Sequence, residues 1–233
     1  MILKHFTAGE YETNNYLIID EETREAALID AGGNYEKTVK LLKDNNCHNE
    51  DIIKNQKDWE PIKGGYCHLK YILHTHGHFD HIQGDWELQK NFDVKTLIHK
   101  DDESLAKSLK QQLMMFGMKS AETPKIDGYL EDGQIIEVGK LKLKVIHTPG
   151  HTLGGVCFLV DKNLFSGDTL FADSVGRTDL PGGSYEALGN SIKNKLFTLD
   201  EDITVYSGHG PSTTIGHEKQ NNPYFGAEAK PQT

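Results

Sequence analysis

Short apolar segments rich in β-branched residues alternate with segments of helical periodicity along most of this chain. The strand candidates are bounded by turn-forming residues, and the helix candidates place apolar residues three or four positions apart. In the first half the strand candidates are ILKHF, NYLIID, EAALID, LKYILHT and KTLIH. In the second half they are IIEVGKLKLKVIHT, GGVCFLV, KNLFSGD and DITVYSG. Strands that alternate with helices predict an α/β fold.

Four helices are predicted between these strands. The first begins at about Asn34, a residue type that often caps helices, and continues through YEKTVKLLKDNN. The others cover residues 80–90, 102–115 and 184–199 approximately. We expect the whole chain, residues 1–233, to form a single domain, because its length is sufficient for one sizeable core.

Two segments fall outside the alternation of strands and helices. Residues 47–68 are polar and lack a sustained period, which indicates an insertion loop. The tail from Asn221 onward is expected to be loose at its end, as chain termini often are.

Composition and charge exclude several classes of function. No apolar run approaches the roughly eighteen residues that a membrane span needs, and the start lacks a secretory pattern, so we expect a cytoplasmic protein. The formal net charge of −10 is spread along the chain, which argues against binding to nucleic acid or membranes and favours a small-molecule substrate. The three cysteines show no framework spacing, so reduced thiols are expected. Nothing in the sequence indicates the oligomeric state.

The segment HTHGHFDH at residues 74–81 concentrates side chains that bind metals. Residues two apart on a strand point to opposite faces, so His76 and His78 share one ion only if the strand has ended there. Gly77 would let the chain turn between them. A helix that follows can present Asp80 and His81 from its first turn. The segment therefore predicts four metal ligands at one corner between a strand and a helix.

His151, Asp168 and His209 lie just past the ends of other predicted strands, where α/β sheets build their sites. They complete two ligand sets. His76, His78 and His151 suit a zinc ion with an open position, and Asp80, His81 and His209 suit a second ion. Asp168 could bridge the two ions with its two oxygens. Zinc is the first expectation, and iron and manganese suit the same ligands.

Other interpretations exist for single positions. Asp80 could be a helix N-cap, Asp168 a turn residue and His209 an ordinary loop histidine. His74 is still within its strand and is expected to pack or form a hydrogen bond. The same ordinary role is expected for His5, His48, His68, His99, His147 and His217. The Cys47-His48 and Cys67-His68 pairs match no common zinc finger spacing.

The metal-ligating motifs resemble those of the metallo-β-lactamase superfamily, whose signature T-H-x-H-x-D-H is matched by residues 75–81. The resemblance extends through HTPGHT, SGDTLF and GHGP in the same order. It implies a four-layer αβ/βα sandwich with a site for two metal ions, in which all seven ligands are present. The segments LFSGDTLFADSVGRTDLPGGS and SGHGPSTTIGHEKQNNPYF are most similar to compact glyoxalase II-like hydrolases, which act on hydroxyacylglutathione thioesters.

The resemblance implies hydrolysis of a thioester by a water that the metals activate, with Asp80 and Asp168 orienting that water. Arg177 is the candidate for binding a substrate carboxylate, and its alternative role is a salt bridge with Asp179. The chain departs from the longer glyoxalase II enzymes, since it ends before their helical domain and carries Gly210-Pro211 where they have glutamate and tyrosine. These departures predict a reduced affinity for glutathione.

Five other functions remain as alternatives, one of which is a hydrolase of the same fold that acts on another small substrate. A persulfide dioxygenase-like enzyme would hold one iron through His76, His151 and Asp168, which leaves the second ligand set unused. A β-lactamase would normally be exported, and a ribonuclease would need a basic surface. A metal-binding regulator without turnover would not require seven ligands.

Overall fold

The computed structural model describes residues 1–44 and 67–229, which contain two six-stranded sheets. The first sheet comes from the first half of the chain. Its strands pair in the order β1-β2-β3-β4-β5-β6. The first two pairings are antiparallel and the other three are parallel. The strands are β1 (Ile2–Ala8), β2 (Thr13–Ile19), β3 (Glu25–Ile29), β4 (His68–Leu73), β5 (Lys95–His99) and β6 (Gly128–Leu130).

The second sheet has the order β14-β13-β10-β9-β8-β7, and a separate short hairpin joins β11 to β12. In this sheet β10 and β13 are parallel and the other neighbours are antiparallel. The strands are β7 (Ile135–Val138), β8 (Leu141–His147), β9 (Val156–Val160), β10 (Asn163–Gly167), β11 (Leu170–Phe171), β12 (Ser174–Val175), β13 (Thr204–Ser207) and β14 (Thr213–Thr214).

Helices cover the outer faces of both sheets. Asn34 caps the first helix as predicted, because its side-chain oxygen accepts a hydrogen bond from the Lys37 amide at 3.2 Å. A 3₁₀ turn at Lys100–Asp102 precedes α4, and a π-helical turn at Ile192–Leu196 extends α6. The helices are α1 (Tyr35–Asp44), α2 (Phe79–Ile82), α3 (Asp85–Asn91), α4 (Glu103–Lys107), α5 (Leu109–Met115), α6 (Tyr185–Ser191) and α7 (Ile215–Asn221). None of the helices among the described residues is long and apolar enough to cross a membrane.

The packing follows from the two-residue period of each strand. On β2, Ile18 packs with Phe165 of the other sheet, whereas its neighbour Leu17 packs on the opposite face, in the cluster that includes α1. Leu164 likewise packs against Leu188 of α6 on the outer face of the second sheet. Both faces of each sheet are therefore covered, which explains why every residue of β2 is buried. The predicted α/β class and the four-layer sandwich are confirmed.

Three predicted elements are divided in the structure, and one of them is the helix expected over residues 102–115, which is split into α4 and α5 at Ser108. The helix expected over residues 80–90 is interrupted at Gly84, whose amide donates to the Ala31 carbonyl at 2.8 Å. A Cβ at Gly84 would lie 2.8 Å from that carbonyl oxygen, so the chain is drawn against the preceding loop there. The long strand predicted from Ile135 is a hairpin that turns at Gly139, where φ is +59°. The turn was hidden in the sequence because apolar residues alternate on both sides of it.

Two further expectations concern the segments without regular pattern. Nearly all of the predicted insertion, residues 47–66, lies outside the described residues. Cys67 is disulfide-bonded, so the expectation of reduced thiols is wrong for this residue. The first part of the predicted tail is packed, since Asn222 and Phe225 are buried. Residues 230–233 lie outside the described part of the chain.

Candidate metal centre

The HTHGHFDH segment forms the predicted corner between β4 and α2. The strand ends at Leu73 and the helix begins at Phe79, so Asp80 and His81 lie in its first turn. His78 is the N-cap residue, which removes the interpretation of Asp80 as a cap. Gly77 does not adopt a left-handed conformation. Its lack of a side chain is needed for packing instead, because a Cβ there would lie 3.0 Å from the Asp102 carbonyl oxygen.

His76, His78 and His151 form the first ligand set. One nitrogen from each of the three rings lies within 4.8 Å of the others, and His78 Nδ1 is 2.9 Å from His151 Nε2. Burial and the neighbouring histidines hold the pKa of His76 well below its usual value. Burial and His151 lower the pKa of His78 to about 3. These two imidazoles are therefore neutral near pH 7, which is the form that binds metals.

Asp80, His81 and His209 form the second set. Asp80 Oδ2 lies 3.4 Å from His81 Nε2 and 3.2 Å from His209 Nε2. Burial raises the pKa of Asp80, but His81 and His209 outweigh it and lower the pKa below its usual value. Burial lowers the pKa of His81, whereas Asp80 and Asp30 raise it to about 10. An ion that binds His81 would displace the proton held there.

Asp168 lies between the two sets. Its Oδ1 is 3.5 Å from His81 Nε2, and its Oδ2 is 3.5 Å from His151 Nε2 and 3.6 Å from His209 Nε2. The two oxygens thus contact histidines of different sets. The structure brings together all seven residues that the sequence singled out as ligands.

The chemistry of the donors fits metal ions at this position. His76 Nε2, His81 Nε2 and Asp168 Oδ1 are buried and have no hydrogen-bond partner within residues 1–44 and 67–229. A buried polar atom without a partner costs about 1–3 kcal/mol. Cations bound between these atoms would satisfy all three at once.

The opposite nitrogens of four histidines are fixed by other groups. In each case Nδ1 contacts an oxygen, so Nε2 is directed into the centre. Such contacts set the tautomer and orientation of metal-binding histidines. The pairs are His76 with Thr75 Oγ1 at 3.1 Å, His81 with Asp30 Oδ2 at 2.8 Å, His151 with the Arg177 carbonyl at 2.7 Å and His209 with the Tyr11 carbonyl at 3.0 Å.

Asp30 is an important residue that sequence reasoning missed. Its carboxylate accepts hydrogen bonds from the Thr75 amide and hydroxyl, both at 2.8 Å, as well as contacting His81. Burial raises the pKa of Asp30, but His81 and His74 outweigh burial and lower it to about 2. A usable signal was present, because Asp30 directly follows a buried strand, just as Asp168 follows β10.

Asp102 is a second missed residue, since the sequence indicated only that a helix starts there. Its buried carboxylate accepts hydrogen bonds from the Gly77 amide at 2.9 Å, the Thr152 hydroxyl at 2.7 Å and the Gly154 amide at 2.7 Å. These donors belong to the two loops that carry His76, His78 and His151. Asp102 therefore holds the loops of the first ligand set together.

Glycine at position 208 leaves room for the centre. A Cβ there would lie 2.2 Å from Asp168 Oδ1 and 2.8 Å from His81 Cε1. Any larger residue would displace one of these two groups.

The remaining candidates have ordinary surroundings. His74 is fully buried, and its Nε2 is 2.7 Å from Asp85 Oδ2, which confirms the expected hydrogen bond. The exposed Arg177 guanidinium donates two hydrogen bonds to Asp179, at 2.7 and 2.6 Å. The salt bridge is therefore present, and a role in substrate binding stays a prediction. His48 lies outside the described residues.

The family model of the Metallo-beta-lactamase superfamily matches residues 8–209. The chain belongs to this superfamily. The hydroxyacylglutathione hydrolase GloC of Haemophilus influenzae is 35% identical over 228 residues, which are 94% of this chain and 95% of GloC. These findings agree with the resemblance inferred from the sequence.

Two solved structures are also similar to this member of the superfamily. BLEG-1, described as a B3 metallo-beta-lactamase, is 33% identical with a TM-score of 0.80, and the match covers 96% of this chain and 99% of that one. TTHA1623 in a di-iron-bound form is 32% identical with a TM-score of 0.78, covering 95% and 99% of the two chains. The superfamily fold is thereby shown over nearly the whole chain.

Proposed function

We propose that this protein is a binuclear metallohydrolase that cleaves thioesters of the hydroxyacylglutathione type. The observation that carries the proposal is the meeting of two ligand sets at Asp168, whose two oxygens contact histidines of both sets. The likeness to GloC, which is named as a hydroxyacylglutathione hydrolase, supports this substrate class.

Each ion would be held by one ligand set, with Asp168 shared between them. Bound zinc, iron or manganese lowers the pKa of water toward about 7 and polarises a carbonyl group. Asp80 and Asp168 would accept hydrogen bonds from the attacking water, a role supported by the contact of both carboxylates with His209 of the centre. Thr13 fixes Asp80, since its hydroxyl donates to Asp80 Oδ2 at 3.0 Å.

A thioester needs less from the protein than an amide does. A thiol has a pKa of about 8.5 and leaves as a thiolate, so no residue has to supply a proton to the leaving group. Neighbouring histidines lower the pKa of Asp80 below its usual value, so this carboxylate is ionised and suits a proton acceptor and not a proton donor. The chemistry of the centre is thus compatible with thioester hydrolysis.

An aromatic group borders the centre and would contact the apolar part of a substrate. Tyr11 is 46% exposed, and its carbonyl accepts from His209. Its ring packs edge-on against Phe79 and Phe116, with centroids 5.3 and 6.0 Å away. Arg177, whose carbonyl accepts from His151, lies close enough to the centre for its guanidinium to meet a substrate carboxylate once it leaves Asp179.

A second candidate function is β-lactam hydrolysis. It is favoured by the likeness to BLEG-1, which is described as a B3 metallo-beta-lactamase and is about as similar to this chain as GloC is. Zinc remains our first expectation for the metal, and iron is supported by the likeness to the di-iron-bound TTHA1623.

The test is a panel assay with protein loaded separately with zinc, iron and manganese. The substrates are S-lactoylglutathione, a simple acyl thioester, a cephalosporin, and glutathione persulfide with an oxygen electrode. We expect release of glutathione from the first substrate, with a weak apparent affinity, and about two metals per chain after desalting. Protein stripped by a chelator is the control.

The other outcomes would each contradict the proposal in a different way. Cephalosporin hydrolysis without thioester hydrolysis would favour the second candidate. Oxygen uptake on the persulfide with one iron per chain would favour a dioxygenase. A ceiling of one metal with full thioesterase activity would contradict the binuclear centre while retaining the substrate class.

A further inference from the structure

A second cluster of histidines lies where the two sheets meet, outside the seven residues of the main centre. His99 is the last residue of β5 in the first sheet, and His147 is the last residue of β8 in the second. Their rings stack with centroids 4.1 Å apart and an interplanar angle of 10°. One nitrogen from each ring and one carboxylate oxygen of Asp101 lie within 4.8 Å of one another.

Each ring has one unprotonated nitrogen that could bind an ion once one ring turns out of the stack. His147 Nε2 is 3.0 Å from the Leu153 carbonyl, which can only accept, so Nε2 carries the proton and Nδ1 of the neutral ring does not. His99 Nδ1 also carries a lone pair, but it accepts a weak hydrogen bond from the Asp101 amide at 3.3 Å, which an ion would replace. Burial and the adjacent His147 lower the pKa of His99, which favours its neutral form.

The Asp101 carboxylate favours a cation at this position. The Asp101 carboxylate is 3.7 Å from His99 Nδ1 and is 56% exposed, so an ion can enter from solvent. Asp132 accepts from the His147 amide at 2.7 Å, but its charge is compensated by Lys195, which pairs with it at 3.0 Å. Two imidazoles and a carboxylate are ligands that suit zinc, copper and nickel, with water in the remaining positions.

A comparable cluster elsewhere would have to lose more hydrogen bonds to bind an ion. Asp173, His217 and Glu218 also bring three ligand atoms close together. The Glu218 carboxylate, however, accepts hydrogen bonds from the Asp173 amide, the Thr213 hydroxyl and the Asn222 side chain. That carboxylate already has its partners and would have to lose them to bind an ion.

We propose that His99, Asp101 and His147 form a further transition-metal site that links the two sheets. An ion held there joins the end of β5 to the end of β8, which belong to different sheets. The site does not depend on the proposed hydrolase function, since none of its residues belongs to the main centre.

The first test counts zinc in the intact protein. Wild-type protein is loaded with zinc and dialysed against rising free zinc, together with the double variant His99→Gln/His147→Gln. His5→Gln, at an exposed histidine, is the matched control. We expect wild type and control to bind one ion more per chain than the double variant does. Because His99 caps the turn that contains Asp102 and His147 contacts the loop that carries His151, the same comparison is repeated in an Asp168→Asn background, where the difference of one ion should persist.

The second test measures thermal unfolding of the same proteins after the main centre has been loaded. Further zinc is expected to raise the Tm of wild type and of His5→Gln and to leave that of the double variant unchanged. Asp101→Asn, at an exposed position, should require a higher zinc concentration for the same shift. This variant also provides the test if the double variant does not fold.

Three outcomes would overturn the site. Equal zinc counts in wild type and in the double variant would show that these histidines do not hold the ion. An equal rise of Tm on addition of zinc in wild type and in the double variant would show that these histidines do not hold the ion that stabilises the fold. Binding by Asp101→Asn with unchanged affinity would remove the carboxylate from the site. Loss of thioesterase activity from the main centre would affect the proposed function and would leave these comparisons intact.

Discussion

At the scale of single residues, Asp168 is the residue that contacts both ligand sets. Its two oxygens contact histidines of different ligand sets, so substitution by asparagine would remove both the negative charge and one acceptor oxygen. We expect Asp168→Asn to weaken both metal sites together, by at least the 10–100-fold that changes around metal ligands typically cause. Elemental analysis over a range of free zinc measures this.

The matched control for Asp168→Asn is Asp202→Asn, at an exposed aspartate that pairs with Lys162 on the surface. This control should keep wild-type metal content and activity. If Asp168→Asn also kept its metals and its rate, Asp168 would be a turn residue and not a bridging ligand.

A substitution at Arg177 separates its two candidate roles, which are substrate binding and the salt bridge with Asp179. If its guanidinium binds the substrate carboxylate, Arg177→Ala should raise KM more than it lowers kcat, because uniform binding is lost. Asp179→Ala is the matched control, since it breaks the same bidentate salt bridge but leaves the cation. Steady-state kinetics of both variants gives the answer. Equal effects of the two substitutions would show that the salt bridge itself matters and that substrate binding by Arg177 does not.

The candidate metal ligands were accessible to sequence reasoning because each follows a strand whose apolar pattern is clear. Asp102 was not, since its partners are backbone amides and a hydroxyl of loops distant in sequence. Asp30 follows a strand in the same way as Asp168, and its role was missed because Thr75 and His81 meet it only in the folded chain. A single sequence shows a residue type but not which donors meet it. The same limit applies to His99 and His147, whose strands were both predicted but belong to different sheets.

At the scale of elements, the loops after β4 and β8 are held together by Asp102. Asp102→Asn would place an amide against three donors, and buried donors without an acceptor cost about 1–3 kcal/mol. We expect a loss of stability of this size and a lower affinity for metal at the first ligand set. Urea unfolding measures the stability, and zinc titration measures the affinity.

Asp93→Asn, at an exposed position, is the control for Asp102→Asn and should change neither quantity. Wild-type zinc affinity in Asp102→Asn would mean that the two loops keep their places without this carboxylate.

Element boundaries were predicted well where apolar periodicity stops at a polar loop, as at the end of β4. The boundaries were missed where a tertiary contact determines the end of an element. Gly84 interrupts the predicted helix because the backbone there packs against Ala31, and no local pattern reveals such a contact. Helix α7 was missed as well, because its polar sequence IGHEKQN carries little apolar periodicity.

At the scale of the whole molecule, the main centre takes ligands from both halves. His76, His78, Asp80 and His81 follow β4 of the first sheet, while the other three ligands follow strands of the second. Removing the metals with a chelator should therefore lower the free energy of unfolding. The expected loss is about 2.7 kcal/mol for each ion present at a hundred times its Kd.

Thermal unfolding with and without chelator, followed by readdition of zinc, checks this prediction. The variant His99→Gln/His147→Gln should show the same loss at the main centre. A Tm that does not respond to the chelator would mean that the ions bind the folded and unfolded chains equally well.

The ligands of the main centre follow strands of both sheets, and this determines when the centre can form during folding. Neither half can complete the centre alone, and His76 and His209 lie far apart along the chain. Contacts between such distant segments form late. Bound ions should then slow the unfolding rate and leave the refolding rate nearly unchanged, because they stabilise interactions that the transition state lacks. Metal supply would in that case determine how long the folded molecule persists, and not how fast it forms.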